Sequence, residues 1–431
     1  MEGDKITCVT QLGKLAVRVK ILIIGSGGRE HALAWRLAQA GHQVWGAPGN
    51  PGIAQVGTTI ASTDYLAVAE AAGVEMTVVG PEAPLVAGVV DQFRARGLAI
   101  VGATQEAAQL EASKIHSKQF MQRLGIPTAR FVRTESIEAA RHVLSQFSFP
   151  VVVKADGLAA GKGVIIAQTQ AEADAAVESL GPRLVIEEFL EGEEVSFIVV
   201  CDGRTALPLE ATQDHKTVGD GDTGPNTGGM GAYCDGRILS AEQASIVMDR
   251  VIEPVIHATG FTGFLYAGLM MTSDGPKVLE FNVRLGDPET QPLMHRLHGD
   301  FAPALEGSAR GDLRDVKLRW SAEPSVCVVL AAEGYPGKVR TGDRIEDRGQ
   351  RTGDREEGAR RQEPGAAVIF QAGTRMGERG LETAGGRVLG VTASGSDLRS
   401  AIDAAYRAVE QIHFDGMHYR RDIGQKGLKR W

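Results

Sequence analysis

The stretch VLEFN, late in the chain, places Glu280 and Asn282 two residues apart on a predicted β-strand. Alternate side chains of a strand point to opposite faces, so these two are expected to share one face with Val278. Leu279 and Phe281 are expected on the other face, towards a core. The carboxylate and the amide would then lie about 7 Å apart, at roughly 3.4 Å for each residue. Both groups are hard oxygen donors, so the pattern favours a Mg²⁺ ion held against nucleotide phosphates.

Arg284 extends this pattern, because it has the same parity as Glu280 if the strand continues. Its guanidinium would supply a cation for an anionic substrate or for a phosphoryl group in transfer. Taken alone, a Glu-x-Asn pair is more typical of a half-exposed strand with solvated polar side chains. The chemical interpretation therefore depends on the other motifs of the chain.

A glycine-rich turn, GSGGRE, joins the first predicted strand to the first predicted helix. Its glycines are Gly25, Gly27 and Gly28. They permit a tight turn, and the free N–H groups of the helix N-terminus suit a phosphate, with Arg29 as a counter-charge. The dinucleotide fingerprint G-x-G-x-x-G needs a glycine at its sixth position, where this chain has Glu30. A phosphate monoester is therefore favoured over a nicotinamide cofactor, and a purely structural turn remains the alternative.

Two further residues follow buried strands at positions that suit ligands. Glu82 opens a helix after the third strand, where it could accept hydrogen bonds from sugar hydroxyls or an amine, or simply stabilise the helix. Lys154 follows three valines and precedes the loop DGLAAGKG of residues 156–163, which predicts a phosphate contact with glycines closing over it. This is not a Walker A loop, because Gly163 follows Lys162 where Ser or Thr is required.

The segment IEEFLEGEE, residues 186–194, starts on an apolar strand and ends in acids. A hinge at this point could offer backbone groups to adenine and a glutamate to the ribose diol. Acidic loops are usually only solvated, so this motif is weak on its own.

Composition excludes several classes of protein. The chain has 431 residues, enough for two or three domains, and its 43% hydrophobic and 23% charged content is ordinary for a globular protein. A net charge of −8 argues against general nucleic-acid binding. The four cysteines are scattered without a CxxC pair, so neither a zinc site nor a disulfide framework is indicated, and a reducing cytoplasm is expected. No apolar run approaches the ~18 residues of a membrane span.

From Lys20 onward, short buried strands alternate with helices, which predicts a parallel sheet with ligands at the carboxyl ends of its strands. After Gly125 the pattern changes to a small α+β unit and then to a larger sheet, and an α/β pattern returns at the end. We therefore expect an α/β and α+β multidomain fold. The expected divisions are an extension at 1–19 and domains at 20–122, 123–190, 191–324 and 325–431.

Four segments carry more specific expectations. Residues 84–96 and 241–259 are each predicted to form one helix. Residues 213–231 are rich in glycine and are predicted to be a loop without secondary structure, either functional or disordered. Residues 343–363 are densely charged and are predicted to be a mobile loop.

Several motifs occur in one order along the chain: GSGGREHAL, APGNPGIA, GPEAPLVAG, QLEASK, VVVKADGLAAGKGV, IEEFLEGEE, QDHKTVGDGDTGPNTGGMGAY, LEFNVRLGDPETQP and HFDGMHYRRDIG. Together they resemble the phosphoribosylamine–glycine ligase family of the ATP-grasp superfamily, over about residues 20–431. The resemblance implies an N-terminal parallel α/β domain, an ATP-grasp fold of two subdomains and a C-terminal α/β domain. It also implies a reaction that joins glycine to phosphoribosylamine while ATP becomes ADP and phosphate.

The resemblance further implies roles for individual residues. Glu280 and Asn282 would hold Mg²⁺ or Mn²⁺. The ATP site would comprise Lys114 and Lys154 at the phosphates, Gly157, Gly161 and Gly163 in the loop over them, Glu187, Glu188 and Leu190 around adenine, and Glu194 on the ribose. Phosphoribosylamine would be held by Gly25, Gly27, Gly28, Arg29 and Glu82. Glycine would be activated beside His215, with catalytic roles for Asp214, Lys216, Arg284 and Asp287.

The chain departs from the family pattern at a few places. Residues 1–19 precede the usual start, and residues 343–363 are unusually charged. Gln371 stands where the family often has His. The stretch from Tyr266 to Leu269 offers no second acidic metal ligand, so ATP oxygens and waters must complete the coordination.

Other functions remain open at this point. The chain could be an ATP-grasp ligase for a different carboxylate and amine, a dinucleotide-dependent oxidoreductase, or a nucleotide-binding regulator without catalysis. Glu30 and the lack of an acid after the second strand disfavour the oxidoreductase. The expected partners are small-molecule substrates, with no nucleic acid and no membrane, and the expected assembly is a monomer or weak homodimer.

Overall fold

The N-terminal part of the chain is a parallel α/β unit. The computed structural model describes residues 18–158, 163–348 and 366–431, so Gly161, residues 1–17 of the expected extension and residues 349–363 of the charged segment lie outside it. The strands are β1 (Lys20–Gly25), β2 (Gln43–Pro48), β3 (Thr58–Thr59), β4 (Met76–Val79) and β5 (Ile100–Val101), in the order β3-β2-β1-β4-β5. The helices are α1 (Gly28–Gln39), α2 (Pro51–Val56), α3 (Tyr65–Ala72), α4 (Glu82–Val86) and α5 (Val89–Ala95).

The order of this sheet creates a crevice beside β1. Its apolar residues Ile21 to Ile24 are fully buried, as expected for a parallel strand covered on both faces. The chain connects in opposite directions on the two sides of β1, and ligands of such sheets bind where the direction reverses, at the carboxyl ends of the strands. The glycine-rich turn follows β1 at this point. The helix predicted over residues 84–96 is divided, because Gly88 adopts a left-handed φ of +82° between α4 and α5.

A small antiparallel unit follows two linking helices, α6 (Gln109–Ala112) and α7 (Lys114–Leu124). Its elements are β6 (Phe131–Thr134), α8 (Ile137–Leu144), β7 (Val151–Ala155), β8 (Val164–Ala167), α9 (Gln170–Leu180) and β9 (Leu184–Glu188). The strands pair in the order β6-β9-β7-β8 and cover one core with α8 and α9. Lys154 and Glu187 therefore lie on neighbouring strands of one sheet.

The rest of the described chain is built on a large, mostly antiparallel sheet. Its strands include β10 (Glu193–Asp202), β11 (Ala206–Pro208), β12 (Thr212–Asp214), β15 (Gly231–Cys234), β16 (Thr262–Thr272), β17 (Gly275–Asn282), β20 (Ser325–Ala331), β22 (Val368–Gln371) and β25 (Arg387–Ser394). They pair in the order β17-β16-β10-β12-β15-β20-β25-β22, and β11 pairs with β10. The C-terminal strands thus continue the sheet that carries Glu280.

The remaining elements connect or cover this sheet. The strands are β13 (Thr217–Gly219), β14 (Thr223–Asn226), β18 (Leu297–His298), β19 (Arg319–Trp320), β21 (Glu346–Asp347), β23 (Thr374–Gly377), β24 (Gly380–Thr383) and β26 (Ile412–His413). The helices are α10 (Ala241–Val247), α11 (Glu253–Thr259), α12 (Thr290–Arg296), α13 (Ala302–Arg310) and α14 (Leu398–Val409). Short 3₁₀ helices occupy Asp220–Asp222 and Gln425–Arg430. In the part of the chain that the structure describes, no helix is long and apolar enough to cross a membrane.

Two further expectations from the sequence are wrong. Residues 213–231 are not a structureless loop, because they contain β13 and β14 as a hairpin between β12 and β15. The helix expected over residues 241–259 is, by contrast, confirmed, and it includes a π-helical turn at Met248–Ile252. This turn lies just before Pro254, which has no N–H to donate to the preceding turn.

The second of these wrong expectations concerns the faces of β17. Gly268 pairs with Glu280 whereas the next residue, Leu269, pairs with Val278, so Leu279 is an extra residue in a β-bulge. Val278 therefore packs in the core with Phe281, whereas Leu279 packs with Leu190. Glu280 and Asn282 keep the shared orientation that the alternation predicts, but Val278 does not join them.

Candidate functional site

A cavity of about 810 Å³ lies between the small unit, the large sheet and the N-terminal unit. Most of the residues predicted for the site line it: Glu82, Lys114, Lys154, Gly157, Gly163, Glu187, Glu188, Leu190, Glu194, Asp214, Lys216, Glu280, Asn282, Arg284 and Asp287. His215 and the residues of the glycine-rich turn, Gly25, Gly27, Gly28 and Arg29, lie outside its wall. Gly161 belongs to the part of the chain that is not described.

Glu280 and Asn282 face the cavity from the end of β17. Burial disfavours the charge of Glu280, but nearby cations, led by Lys216 and Lys154, outweigh this effect and lower the pKa of its carboxyl. The described residues contain no cluster of three or more His, Cys, Asp or Glu that could hold a metal unaided. The donor set therefore fits a divalent cation that arrives with the nucleotide, whose oxygens and waters fill the remaining positions.

Arg284 organises the neighbouring acids. Its Nη2 donates to Asn282 Oδ1 at 2.9 Å and lies 2.8 Å from Glu111 Oε1, and its Nε lies 3.6 Å from Glu82 Oε2. Burial raises the pKa of Glu111, which also accepts a hydrogen bond from the backbone of Val283. Arg284 was predicted to act on a substrate. That role stays a prediction; in the structure the guanidinium bonds Asn282 and pairs with Glu111 of the cavity wall.

A buried pair of lysines flanks Glu187. Its Oε2 lies 3.0 Å from Lys118 Nζ and 3.1 Å from Lys154 Nζ. Burial lowers the pKa of Lys118 to about 8. Glu187 Oε1 is buried and has no hydrogen-bond partner among the described residues, so it remains free to accept one. Sequence reasoning missed Lys118, although it follows Lys114 by one helical turn on α7 and so shares a helix face with it.

One end of the cavity combines an apolar floor with a charged edge. Leu190 packs with Ala129, Met270 and the bulged Leu279. Glu194, at the edge, pairs with Lys216 at 3.1 Å between its Oε2 and the lysine Nζ. Burial lowers the pKa of Lys216, but the carboxylates of Glu194 and Glu280 overcome this effect and raise it well above the ordinary value. The charge of Lys216 is therefore held between the cavity edge and the proposed metal site.

Two predicted residues of this end are held by the protein itself. Glu188 Oε1 accepts a hydrogen bond of 2.9 Å from the backbone of Arg130. Lys114 Nζ donates to the carbonyl of Gly157 at 2.8 Å, which joins α7 to the first part of the loop of residues 156–163.

Asp214 and Glu289 form an acidic pair in the cavity wall. Glu289 Oε1 accepts hydrogen bonds of 3.0 Å each from Ser196 and Tyr266. Burial, followed by the charge of Glu289, raises the pKa of Asp214 well above its ordinary value. Sequence reasoning assigned no role to Glu289, although it lies in the motif GDPETQP. The residues that donate hydrogen bonds to Glu289 lie on strands β10 and β16, far away in the sequence.

His215 lies behind the cavity wall. Its Nδ1 is 3.3 Å from the carbonyl of Gly231, and its Nε2 accepts from the backbone N–H of Gly424 at 3.3 Å. Burial lowers the pKa of His215 well below its ordinary value. The predicted contact of His215 with glycine stays a prediction, and in the structure this side chain connects the end of β12 to the C-terminal segment.

The glycine-rich turn is shaped around Glu30. The Glu30 carboxylate accepts from Gly27 N and from Arg29 Nε, at 2.5 Å each. A β-carbon on Gly25 would lie 2.7 Å from Glu30 Cγ, so this glycine makes room for the buried acid. Arg29 Nη1 also donates to the carbonyl of Leu285 at 3.0 Å. These contacts fix the turn to the segment that follows β17.

Asp287 connects the turn to the cavity. A β-carbon on Gly27 would lie 3.4 Å from Asp287 Oδ2, and Arg387 Nη2 is 3.3 Å from the same oxygen. Burial disfavours the charge of Asp287, but Arg387 and Arg29 lower the pKa of its carboxyl. Asp287 therefore lies as a carboxylate between the crevice of the N-terminal sheet and the cavity.

Comparison with known proteins agrees with this architecture. The chain matches the N domain, the ATP-grasp (A) domain and the C domain of phosphoribosylglycinamide synthetase over residues 19–111, 112–290 and 325–426. It is 48% identical to phosphoribosylamine–glycine ligase of Yersinia pestis and 47% identical to that of Vibrio cholerae, covering 96% of this chain in both cases and 100% and 99% of the relatives.

A solved structure gives the same result. The crystal structure of phosphoribosylamine–glycine ligase from Thermotoga maritima has a TM-score of 0.79 and 35% identity to this chain, and the match covers 94% of this chain and 100% of that one. The predicted fold class, with a parallel N-terminal sheet and an ATP-grasp domain, is confirmed. The chain belongs to the phosphoribosylamine–glycine ligase family.

Proposed function

We propose that this protein uses ATP to join glycine to phosphoribosylamine through glycyl phosphate, within the cavity of about 810 Å³. The observation that carries the proposal is the position of Glu280 and Asn282. They stand at the end of β17 in a cavity whose cations include Lys114, Lys154 and Lys216. Two oxygen donors among several lysines suit a metal–triphosphate, because the lysines neutralise the phosphates and the donors hold the cation.

The reaction needs an activated carboxylate. The carboxylate of glycine is a poor acyl donor, because oxide is a poor leaving group. Transfer of the γ-phosphoryl group gives an acyl phosphate, and the amine of phosphoribosylamine then displaces phosphate from the carbonyl carbon. The metal would neutralise charge on the nucleotide phosphates. An acyl phosphate hydrolyses in water, so the cavity must exclude water during the reaction.

The nucleotide end can be assigned from the shape and polarity of the wall. The apolar floor of Leu190, Met270 and Leu279 suits the face of adenine. Glu187 Oε1, which has no partner in the described structure, can accept from the exocyclic amine of adenine. Glu194, half-exposed at the edge, can accept from the ribose hydroxyls. Lys114 and Lys154 would then neutralise the phosphates, and Glu188 would contribute through its backbone.

The two substrates would bind on the other side of the metal site. Asp214 and Glu289 can accept hydrogen bonds from the ammonium group of glycine. Glu82 and Asp287 can accept from the amine and hydroxyls of phosphoribosylamine, whose phosphate would lie in the crevice beside the glycine-rich turn. Lys216 lies between the two regions and can neutralise the phosphoryl group in transfer. One chain supplies all of these groups, so a monomer suffices for catalysis.

The metal assignment is tested by Glu280→Gln, which keeps the size of the side chain and removes its charge. We expect a folded protein with at least 100-fold less metal-dependent ADP formation, as an order-of-magnitude expectation for loss of a charged metal ligand. Tight binding of Mn²⁺ in the presence of ADP, measured by paramagnetic resonance, should also be lost. Unchanged activity and Mn²⁺ binding would show that the cation is held elsewhere. The rate of ADP formation, measured with Mg²⁺ and with Mn²⁺ separately, decides between the two metals.

The rival function, an ATP-grasp ligase for a different amino acid, is separated by substrate-dependent ADP formation. We expect glycine, as the proposed substrate, to give a kcat/KM well above those of alanine and serine. A faster reaction with another amino acid would favour the rival.

A further inference from the structure

The C-terminal segment of residues 418–431 lies against the cavity and contacts three neighbouring strands of the large sheet. The backbone N–H of Gly424 donates to His215, just after β12, and Arg430 pairs with Glu193 of β10 and donates to Tyr233 of β15. The 3₁₀ helix Gln425–Arg430 therefore has a defined place beside the substrate site.

The same segment holds the β13–β14 hairpin, which also lines the cavity. Arg420 is fully buried, and its guanidinium bonds Thr217 and Asp222 of the hairpin region and Asp422 of its own segment. Gly221 in turn donates its backbone N–H to Asp422 at 2.8 Å. These contacts show that the motif HFDGMHYRRDIG fastens the hairpin to the C-terminal segment, and we call this set of contacts the clamp. The roles proposed above do not involve this motif.

The clamp brings Lys426 into the cavity wall. Its Nζ donates to the backbone carbonyl of Asp214 at 2.8 Å, which uses one of the three N–H donors of an ammonium group. Burial lowers the pKa of Lys426, although the charges of Asp222, Asp214 and Glu194 oppose this effect. In the described structure no carboxylate oxygen lies within 4.0 Å of Nζ. Lys216, by contrast, is paired with Glu194. Lys426 thus retains donors for an anionic ligand beside the acidic pair.

We propose that Lys426 binds the carboxylate of glycine, while Asp214 and Glu289 bind its ammonium group. Glycine has a single carbon atom between its two charged groups, so a site for it requires a cation next to the acids. Lys426 satisfies this requirement because it bonds the carbonyl of Asp214 itself. The inference rests on the proposed function and adds a substrate-binding residue supplied by the C-terminal segment.

The test is steady-state kinetics of Lys426→Met, Lys426→Gln and Lys426→Arg, with glycine and ATP varied separately. Gln can still donate to the backbone carbonyl of Asp214 but carries no charge. The Gln variant therefore remains informative if the Met variant misfolds. We expect the KM for glycine to rise about 10- to 100-fold in the Met and Gln variants, as for loss of one charge-assisted hydrogen bond. The KM for ATP should stay within about twofold of wild type, and Arg should restore most of the glycine affinity.

Arg421→Met is the matched control. It removes a positive charge from the same segment, but the side chain is exposed and lies outside the cavity wall. Its kinetics should equal those of the wild type. An unchanged KM for glycine in Lys426→Gln, or a rise only in the KM for ATP, would overturn the inference. Absence of glycine-dependent turnover in the wild type would instead refute the proposed function itself.

Discussion

Arg284 and Asn282 are joined by a hydrogen bond of 2.9 Å from Nη2 to Oδ1. The arginine thus orients the amide proposed to hold the metal, and the same guanidinium pairs with the buried Glu111. One side chain therefore couples the geometry of the metal site to the stability of the wall. The effect on stability and the effect on the proposed metal site can be separated by replacing Arg284 alone and then together with Glu111.

Arg284→Met should destabilise the protein by about 3–5 kcal/mol, because it leaves Glu111 buried without a counter-charge. The measurement is urea-induced unfolding at neutral pH. Adding Glu111→Gln removes the uncompensated charge, so the double variant should recover at least half of the lost stability. Its activity should remain low, because Asn282 is still unsupported. A loss below about 1 kcal/mol in the single variant would show that the pair contributes little.

Lys118 makes a pH-dependent contribution to the free energy of unfolding, and the sign of this contribution follows from its pKa. The folded-state pKa of about 8 lies below the ordinary 10.5. Between these values the unfolded chain binds more protons than the folded one, so this contribution to stability rises with pH. We expect the unfolding free energy of the wild type, minus that of Lys118→Met, to increase by up to roughly 3 kcal/mol from pH 7.5 to pH 10.5.

The exposed Lys317 supplies the control for this measurement, since Lys317→Met also removes one lysine. The difference between wild type and this variant should stay nearly constant over the same pH range. If the difference in unfolding free energy for Lys118→Met is also independent of pH, burial beside Glu187 does not lower the pKa of Lys118.

Gly229 permits the close approach of Asp214. Its φ is +108°, and an added β-carbon would lie 2.5 Å from Pro288 Cδ and 2.8 Å from Asp214 Oδ1. Gly229→Ala should therefore cost about 2–3 kcal/mol in stability and raise the KM for glycine several-fold. Gly221→Ala is the matched variant, because Gly221 has a positive φ of +66° but nothing within 4 Å of the added carbon.

Gly221→Ala should cost only about 1 kcal/mol, the usual cost of a left-handed alanine, and leave the KM for glycine unchanged. Differential scanning calorimetry and steady-state kinetics of the two variants decide the matter. Equal effects in both would show that backbone conformation alone is responsible, and that the contact with Asp214 is unimportant.

The sequence predicts the parts of the fold that depend on local patterns. Buried runs such as ILII and VVVK are strands in the structure, and Glu280 and Asn282 lie on a strand facing the cavity. The bulge at Leu279 could not be predicted from alternation, because a single extra residue reverses the parity of everything on one side of it. Its consequence is that Leu279 joins the apolar floor of the cavity.

The residues whose place in the site could not be predicted from the sequence are positioned by contacts between distant segments. Lys426 reaches Asp214 across more than two hundred residues of sequence, and Glu289 is marked by Ser196 and Tyr266. Glycine-rich stretches were also ambiguous. Gly25 makes room for Glu30, whereas the hairpin after β12 is ordered through Arg420. Composition shows that such segments turn tightly, but the reason for the turn lies in their tertiary partners.

The central claim is that one cavity couples ATP cleavage to the joining of glycine and phosphoribosylamine. It is tested most directly by phosphate release from protein, Mg-ATP, glycine and freshly generated phosphoribosylamine, with each component omitted in turn. We expect one phosphate and one ADP for each glycinamide ribonucleotide formed, and only background release when ATP, metal, glycine or phosphoribosylamine is left out. Phosphate release that continues at the full rate without glycine would contradict it.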